Sequence, residues 1–166
     1  IIITLCEKID ILSEKIRIKL YKERKKRIKP ITDKKIICSW NSIVLIGIIN
    51  AYQATKDVSY LEKAHKNIVF IKNKLLKNNK LYRIFGIKKL GYIDDYAFTI
   101  KAFILYYQTT LDKKYLNIAR NLTEFSISKF YNKKEKFFNF SSSDHEKLIS
   151  NKIQIFDNVV PSANSV

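Results

Sequence analysis

Apolar residues at Leu5, Ile9, Leu12, Ile16 and Leu20 recur at helical spacing and predict one long amphipathic helix. Its end, Lys22-Glu23-Arg24-Lys25-Lys26-Arg27, is basic, which suits the negative end of a helix dipole, and Pro30 sets its limit. From Ile36 to Thr55 the pattern changes, because no charged residue occurs over a span long enough to cross a bilayer. Ser39, Asn41, Ser42, Asn50 and Gln53 interrupt that run and lysines flank both ends, so an inner helix enclosed by other helices is the expected structure. Asp57-Val58-Ser59-Tyr60-Leu61-Glu62 then reads as a turn with a capping box from Ser59 to Glu62. Leu61, Ala64, Ile68, Ile71 and Leu75 supply the next apolar face. Asn78-Asn79-Lys80 predicts the end of that helix, and Leu81 to Gly86 has the aromatic and β-branched content of a short strand.

The pattern then repeats. Tyr52, Thr55, Asp57, Tyr60-Leu61, Ala64 and Phe70 return as Tyr107, Thr110, Asp112, Tyr115-Leu116, Ala119 and Phe125, each shifted by 55 positions (52 to 107, 70 to 125). The connectors align at the same shift, Tyr82 with Phe137 and Phe85 with Phe140, while Trp40 falls opposite Asp95. A repeated unit of helix, short turn, helix and long loop predicts stacked helical hairpins, with first helices starting near Trp40 and Asp95 and second helices near Ser59 and Lys113. The long loops return to one end of such a scaffold, where sites are usually built. The polar starts of the first helices, Trp40-Asn41, Asp94-Asp95-Tyr96 and Pro161-Ser162-Asn164, should gather there.

Charge changes the picture less than its size suggests. The formal charge is +17, from 32 Lys and Arg against 15 Asp and Glu. The bases are mostly lysine within an Ile-, Asn-, Phe- and Tyr-rich composition of AT-rich coding character. No nucleic-acid module accompanies them, so no specific nucleic-acid partner and no membrane partner are expected. Cys6 and Cys38 lie far apart, in neither a CxxC nor a metal-ligand spacing; no cofactor or metal is expected, and the thiols fit a reduced, cytoplasmic protein. The chain lacks methionine and stops at Pro161 to Val166, where a new helix should begin, so an internal fragment of a longer protein is the expected object.

The available chemistry is carboxylate chemistry. Asp33, Asp94, Asp95 and Asp157 could act in pairs across a sugar as acid and base or acid and nucleophile. Asp94, just ahead of the periodic run, reads as the helix cap. Asp95, in line with Phe98, Ala102 and Leu105, reads as the carboxylate facing the site, which makes Asp95, Asp33 and Asp157 the catalytic candidates. Trp40, Asn41, Asp94, Tyr96, Ser162 and Asn164 are the ligand-binding candidates. His65 and His145, the two histidines, read as a helix-surface and a loop residue.

Four motifs, Arg27-x-x-Pro30-x-x-Asp33-x-Lys35-Ile36, Trp40-Asn41, Gly91 to Phe98, and Asp157-x-x-x-Pro161-Ser162-Ala163-Asn164-Ser165-Val166, resemble in content and order the YyaL-like, or spermatogenesis-associated protein 20, family. The resemblance implies a thioredoxin-like domain followed by a six-hairpin (α/α)6 toroid. On that basis the chain is expected to be all-α with short β-like connectors. Residues 1–30 would form a preceding helix and 31–166 the first two and a half hairpins of the toroid. The toroid is similar to those of N-acylglucosamine 2-epimerases and six-hairpin glycosidases, which implies a small sugar-like ligand. The alternative is a non-catalytic helical scaffold working beside the linked thioredoxin-like domain. The chain departs from the family at Lys34, at Ser42, and in lacking an arginine shortly before Asp157, and Lys34 reverses a charge in the implied pocket.

Overall fold

The computed structural model describes residues 2–146 and 152–166, and divides into two compact units, residues 1–34 and 35–166. The first unit is helix α1 (Ile2–Lys25), which closes with Lys22, Arg24 and Lys25 in its last turn, ahead of Pro30. Of the stripe that predicts it, the side chains of Leu5 and Ile9 lie outside the described residues, while Leu12, Ile16 and Leu20 stay half exposed or more.

The second unit holds two helical hairpins. Helix α2 (Cys38–Thr55) turns through Lys56 and Asp57 into α3 (Val58–Phe70), which is extended by a five-residue π-helical turn over Ile71–Leu75. Helix α4 (Ile93–Thr110) turns through Leu111 and Asp112 into α5 (Lys113–Phe130). The 55-residue repeat is therefore a structural repeat, down to its caps. Lys56 and Leu111 adopt the same left-handed conformation, both at φ 59°, and donate back to Tyr52 O and Tyr107 O. Asp57 and Asp112 cap the second helices by accepting from Ser59 N at 2.9 Å and Lys114 N at 3.0 Å. The cap of α3 is thus Asp57, two residues earlier than the capping box read from Ser59, because the turn is only two residues long.

Both connectors begin as β-hairpins. Strand β1 (Leu76–Lys77) pairs antiparallel with β2 (Lys80–Leu81), and β3 (Tyr131–Asn132) with β4 (Phe137–Phe138). Asn78 and Asn79, at φ 51° and 59°, form the tight two-residue turn whose twist matches paired strands, so they join β1 to β2 instead of merely ending a helix. The second turn, residues 133–136, is two residues longer, and this corrects the connector alignment. Arg83 O accepts from Cys38 N and Phe140 O from Ile93 N, so Arg83 corresponds to Phe140, a shift of 57 (83 to 140), and Tyr82 to Asn139.

The core lies between the hairpins and includes Leu45, Ile49, Ile68, Phe103, Tyr115 and Leu122. Helix α2 is not enclosed on all sides. Trp40 and Val44 are 61% and 53% exposed, since no other helix of the second unit packs over that face. Among the described residues, no helix is long and apolar enough to cross a membrane.

Candidate functional site

The starts of α2 and α4 meet at a small groove of about 110 Å³. Trp40 and Ile43 line it from α2, Asp94 and Phe98 from α4, Arg83 from the first connector, and Gln154, Val160 and Pro161 from the last segment. Of the residues expected to gather at the first-helix starts, Trp40, Asp94 and Pro161 line this groove, while Asn41, Tyr96, Ser162 and Asn164 do not, and residues 161–166 carry a single turn, closed by Ser165 N on Ser162 O.

Asp95 lies beneath the groove and is fully buried. Its Oδ2 accepts from Tyr92 N at 2.9 Å while its own N–H donates to Tyr92 O at 2.9 Å, a reciprocal cap on α4. Its Oδ1 accepts from Ser39 N at 2.9 Å, which caps α2 as well, and Arg83 Nη1 donates to Oδ2 at 3.2 Å. Burial holds its carboxyl above the usual range, opposed by the Arg83 charge and the two backbone donors. The cap is therefore Asp95, not Asp94. Helix α4 begins at Ile93, which places Asp95 at the third helical position and turns it back onto the helix start.

Asp94 is the carboxylate at the groove. It is half-buried, and its carboxyl is pushed up first by burial and then by the neighbouring Asp95 charge, with Arg83 and Lys152 opposing. Arg83, within the strand-like run Leu81 to Gly86, also lines the groove, and its guanidinium stacks 5.1 Å from the centre of the Tyr92 ring. The signal for it was a lone charge inside Leu81-Tyr82-Arg83-Ile84-Phe85. Cys38 is a free, buried thiol beside Thr99, pushed up to about 12 by burial and by the Asp95 charge.

The remaining candidates are engaged elsewhere. Asn41 Nδ2 donates to Ile37 O at 2.8 Å, at the start of its own helix. Tyr96 is a core residue, with its hydroxyl accepting from Leu81 N at 3.0 Å and its ring stacked on Phe125. Ser162 is buried and donates to Ile155 O at 3.1 Å, while Asn164 bonds both backbone groups of Phe138 and also Gln154 O. Asp157 is exposed and accepts from Ser162 N at 2.9 Å, which lowers its carboxyl below the usual range. Asp33 belongs to the first unit and is exposed. His65 shares a hydrogen bond with the Tyr106 hydroxyl at 2.8 Å, and His145 bonds Ser142 and stacks on Tyr92; neither lines the groove. Among the described residues, no group of three or more His, Cys, Asp or Glu is placed to hold a metal ion.

No family model matches the chain. It is 31% identical over 158 residues to the uncharacterized protein B0495.5 of Caenorhabditis elegans, an alignment that covers 89% of this chain but 21% of that protein. The chain thus spans about a fifth of the length of this curated relative. Among solved structures it is similar to the GH76 α-mannanase BT2949 of Bacteroides thetaiotaomicron, with a TM-score of 0.61 and 22% identity over 74% of this chain and 35% of that one. It is also similar to the cellobiose 2-epimerase of Bacillus thermoamylovorans, with a TM-score of 0.62 and 19% identity over 77% and 35% of the two chains. At these identities the likeness is one of fold. The chain is all-α with short β connectors and forms part of a six-hairpin (α/α)6 toroid of the glycosidase-like kind.

Proposed function

We propose that this sector of the toroid binds a small carbohydrate-type ligand in the groove between Trp40 and Asp94. The observation that carries the reading is that an exposed tryptophan, a half-buried carboxyl and an arginine converge at the starts of the first helices. Trp40 offers an aromatic face to a sugar ring. Asp94, held above the ordinary carboxylate range, is suited to give a proton to a leaving or ring oxygen, and Arg83 to donate to a hydroxyl. The sugar-acting neighbours of the same fold support this choice of ligand. Asp95 and Asp157 serve it indirectly, by fixing the helix starts and the last turn. A YyaL-like membership, with a thioredoxin-like domain linked ahead of the toroid, rests on the four sequence motifs, and the buried thiol of Cys38 fits a cytoplasmic setting.

A second reading, a non-catalytic scaffold, is favoured by one observation. Asn41, Tyr96, Ser162 and Asn164 all spend their polar groups on the protein's own backbone. Trp40 is the chain's sole tryptophan, so its fluorescence reports the groove directly. Titration with manno- and gluco-disaccharides and N-acetylhexosamines should give a saturable change that Asp94→Asn weakens. Binding without turnover by the full-length protein selects the scaffold, and no response to any of these sugars rejects the ligand assignment.

A further inference from the structure

The positive charge of this chain is not spread evenly. In residues 1–18 three Lys and Arg stand against three Asp and Glu, whereas in residues 19–30 seven stand against one. A lysine-rich composition alone would raise the charge everywhere and does not explain its segregation into the last turns of α1 and the segment just beyond. The one acid there, Glu23, is held by Lys26 at 2.7 Å. Arginine sharpens the contrast. Of the chain's five arginines, Arg17, Arg83 and Arg120 each lie beside an acid, namely Glu14, Asp95 and Glu124. The other two, Arg24 and Arg27, border a groove that no described acid lines.

This groove, of about 430 Å³, forms where α1 ends. Lys26 N and Arg27 N donate to Glu23 O and Arg24 O, three residues back and each at 3.2 Å, which tightens the last turn before the chain leaves through Lys29 and Pro30. Arg24, Lys25, Arg27 and Lys29 stand around the groove with Tyr21, which is 59% exposed and has the Lys25 ammonium 4.8 Å from the centre of its ring. The negative end of the helix dipole amounts to about half a charge, so it offsets only a fraction of these four cations. We propose that the groove binds a free nucleoside triphosphate, with its phosphates held by Arg24, Arg27 and Lys29 and its base against Tyr21. Guanidinium groups match phosphate oxygens two at a time, and an aromatic ring takes any base by stacking, so the two features together select a nucleotide over a bare anion. The volume suits a ligand of this size. The site lies wholly within the first unit and is independent of the sugar-binding reading.

The test is isothermal titration calorimetry of the 166-residue chain with magnesium-free adenosine triphosphate. Saturable binding at a single site is expected, and it should weaken as salt rises, because screening acts on exposed charges. Arg24→Gln and Arg27→Gln should each cost about tenfold or more in affinity, and Tyr21→Leu about fivefold or more, all with unchanged helical circular dichroism. Lys134→Gln removes one charge from an exposed turn of the second unit and should leave the affinity as it was. Equal weakening by Lys134→Gln overturns the inference, since it makes the overall charge of +17 the cause. Inorganic tripolyphosphate that binds as tightly as the nucleotide, or unchanged nucleotide affinity in Tyr21→Leu, overturns the assignment to a nucleotide. Tighter binding of single-stranded oligoadenylate at the same salt overturns it in favour of an RNA strand, and no binding of the triphosphate overturns it outright.

Discussion

Helices α2 and α4 are the same length and begin 55 positions apart, yet their starts are held in opposite ways. Helix α4 is capped from within, by Asp95 returning to Tyr92 N. Helix α2 has no side-chain cap of its own at Ile37, and its first donors are taken by groups outside its sequence: Cys38 N by Arg83 O and Ser39 N by Asp95 Oδ1. One carboxylate thus finishes two helices. The equivalent position in the first hairpin, Trp40, is left free to face the groove. The lesson is that a structural repeat need not repeat its chemistry, since one copy of a position can secure both units while the other stays exposed at the groove.

The largest break in this comparison is expected from Asp95→Ala. It uncaps both helices and leaves Arg83 without its buried partner, so chemical denaturation should show a loss of about 3–5 kcal/mol, the usual cost of orphaning one member of a buried pair. Gly91→Ala should come next. The added Cβ would lie 3.1 Å from Leu81 O and 3.2 Å from Asp95 Cβ, and Leu81 O is held in place by Gly91 N, so about 1–3 kcal/mol of overpacking is expected in the same assay. Asp112→Ala removes a cap that serves one helix only and should cost about 1 kcal/mol, with Asp57→Ala shifting stability in the same direction.

The smallest effect concerns pH. Burial and the Asp95 charge raise the Asp94 carboxyl in the folded chain above its ordinary value near 3.8, so the folded state binds this proton more readily than the unfolded state. The resulting stability is fully present below 3.8 and is lost as pH rises through the folded-state pKa. Thermal melts of Asp94→Asn across that range should show a shallower decline than the parent protein.

Much of the fold was legible because it is periodic. The apolar spacing and the shift of 55 positions located four of the helices within two residues of their starts. The shift failed at the connectors, where two extra residues in the second β-turn moved the correspondence from Phe137 to Asn139, a change of turn length that matching aromatics concealed. The division of labour between Asp94 and Asp95 was reversed for a related reason. Starting α4 at Ile93 instead of one or two residues later changes which carboxylate reaches the helix's first donors, and helix ends are the least legible positions in a sequence. That Asp95 also reaches Ser39, 56 residues away, and pairs with Arg83 is a fact of how the hairpins pack, which no local pattern carries.

The left-handed residues of this fold have a consequence for its genetics. Lys56, Asn78, Asn79, Leu111 and Lys136 all adopt positive φ, whereas among the chain's three glycines only Gly86 does. Glycine codons are rich in G and C, so mutational drift toward A and T would strip glycine from the very turns that favour it. At Lys56 and Leu111 the side chain costs about 1 kcal/mol relative to glycine. Such a lineage would carry a standing load of strained turns.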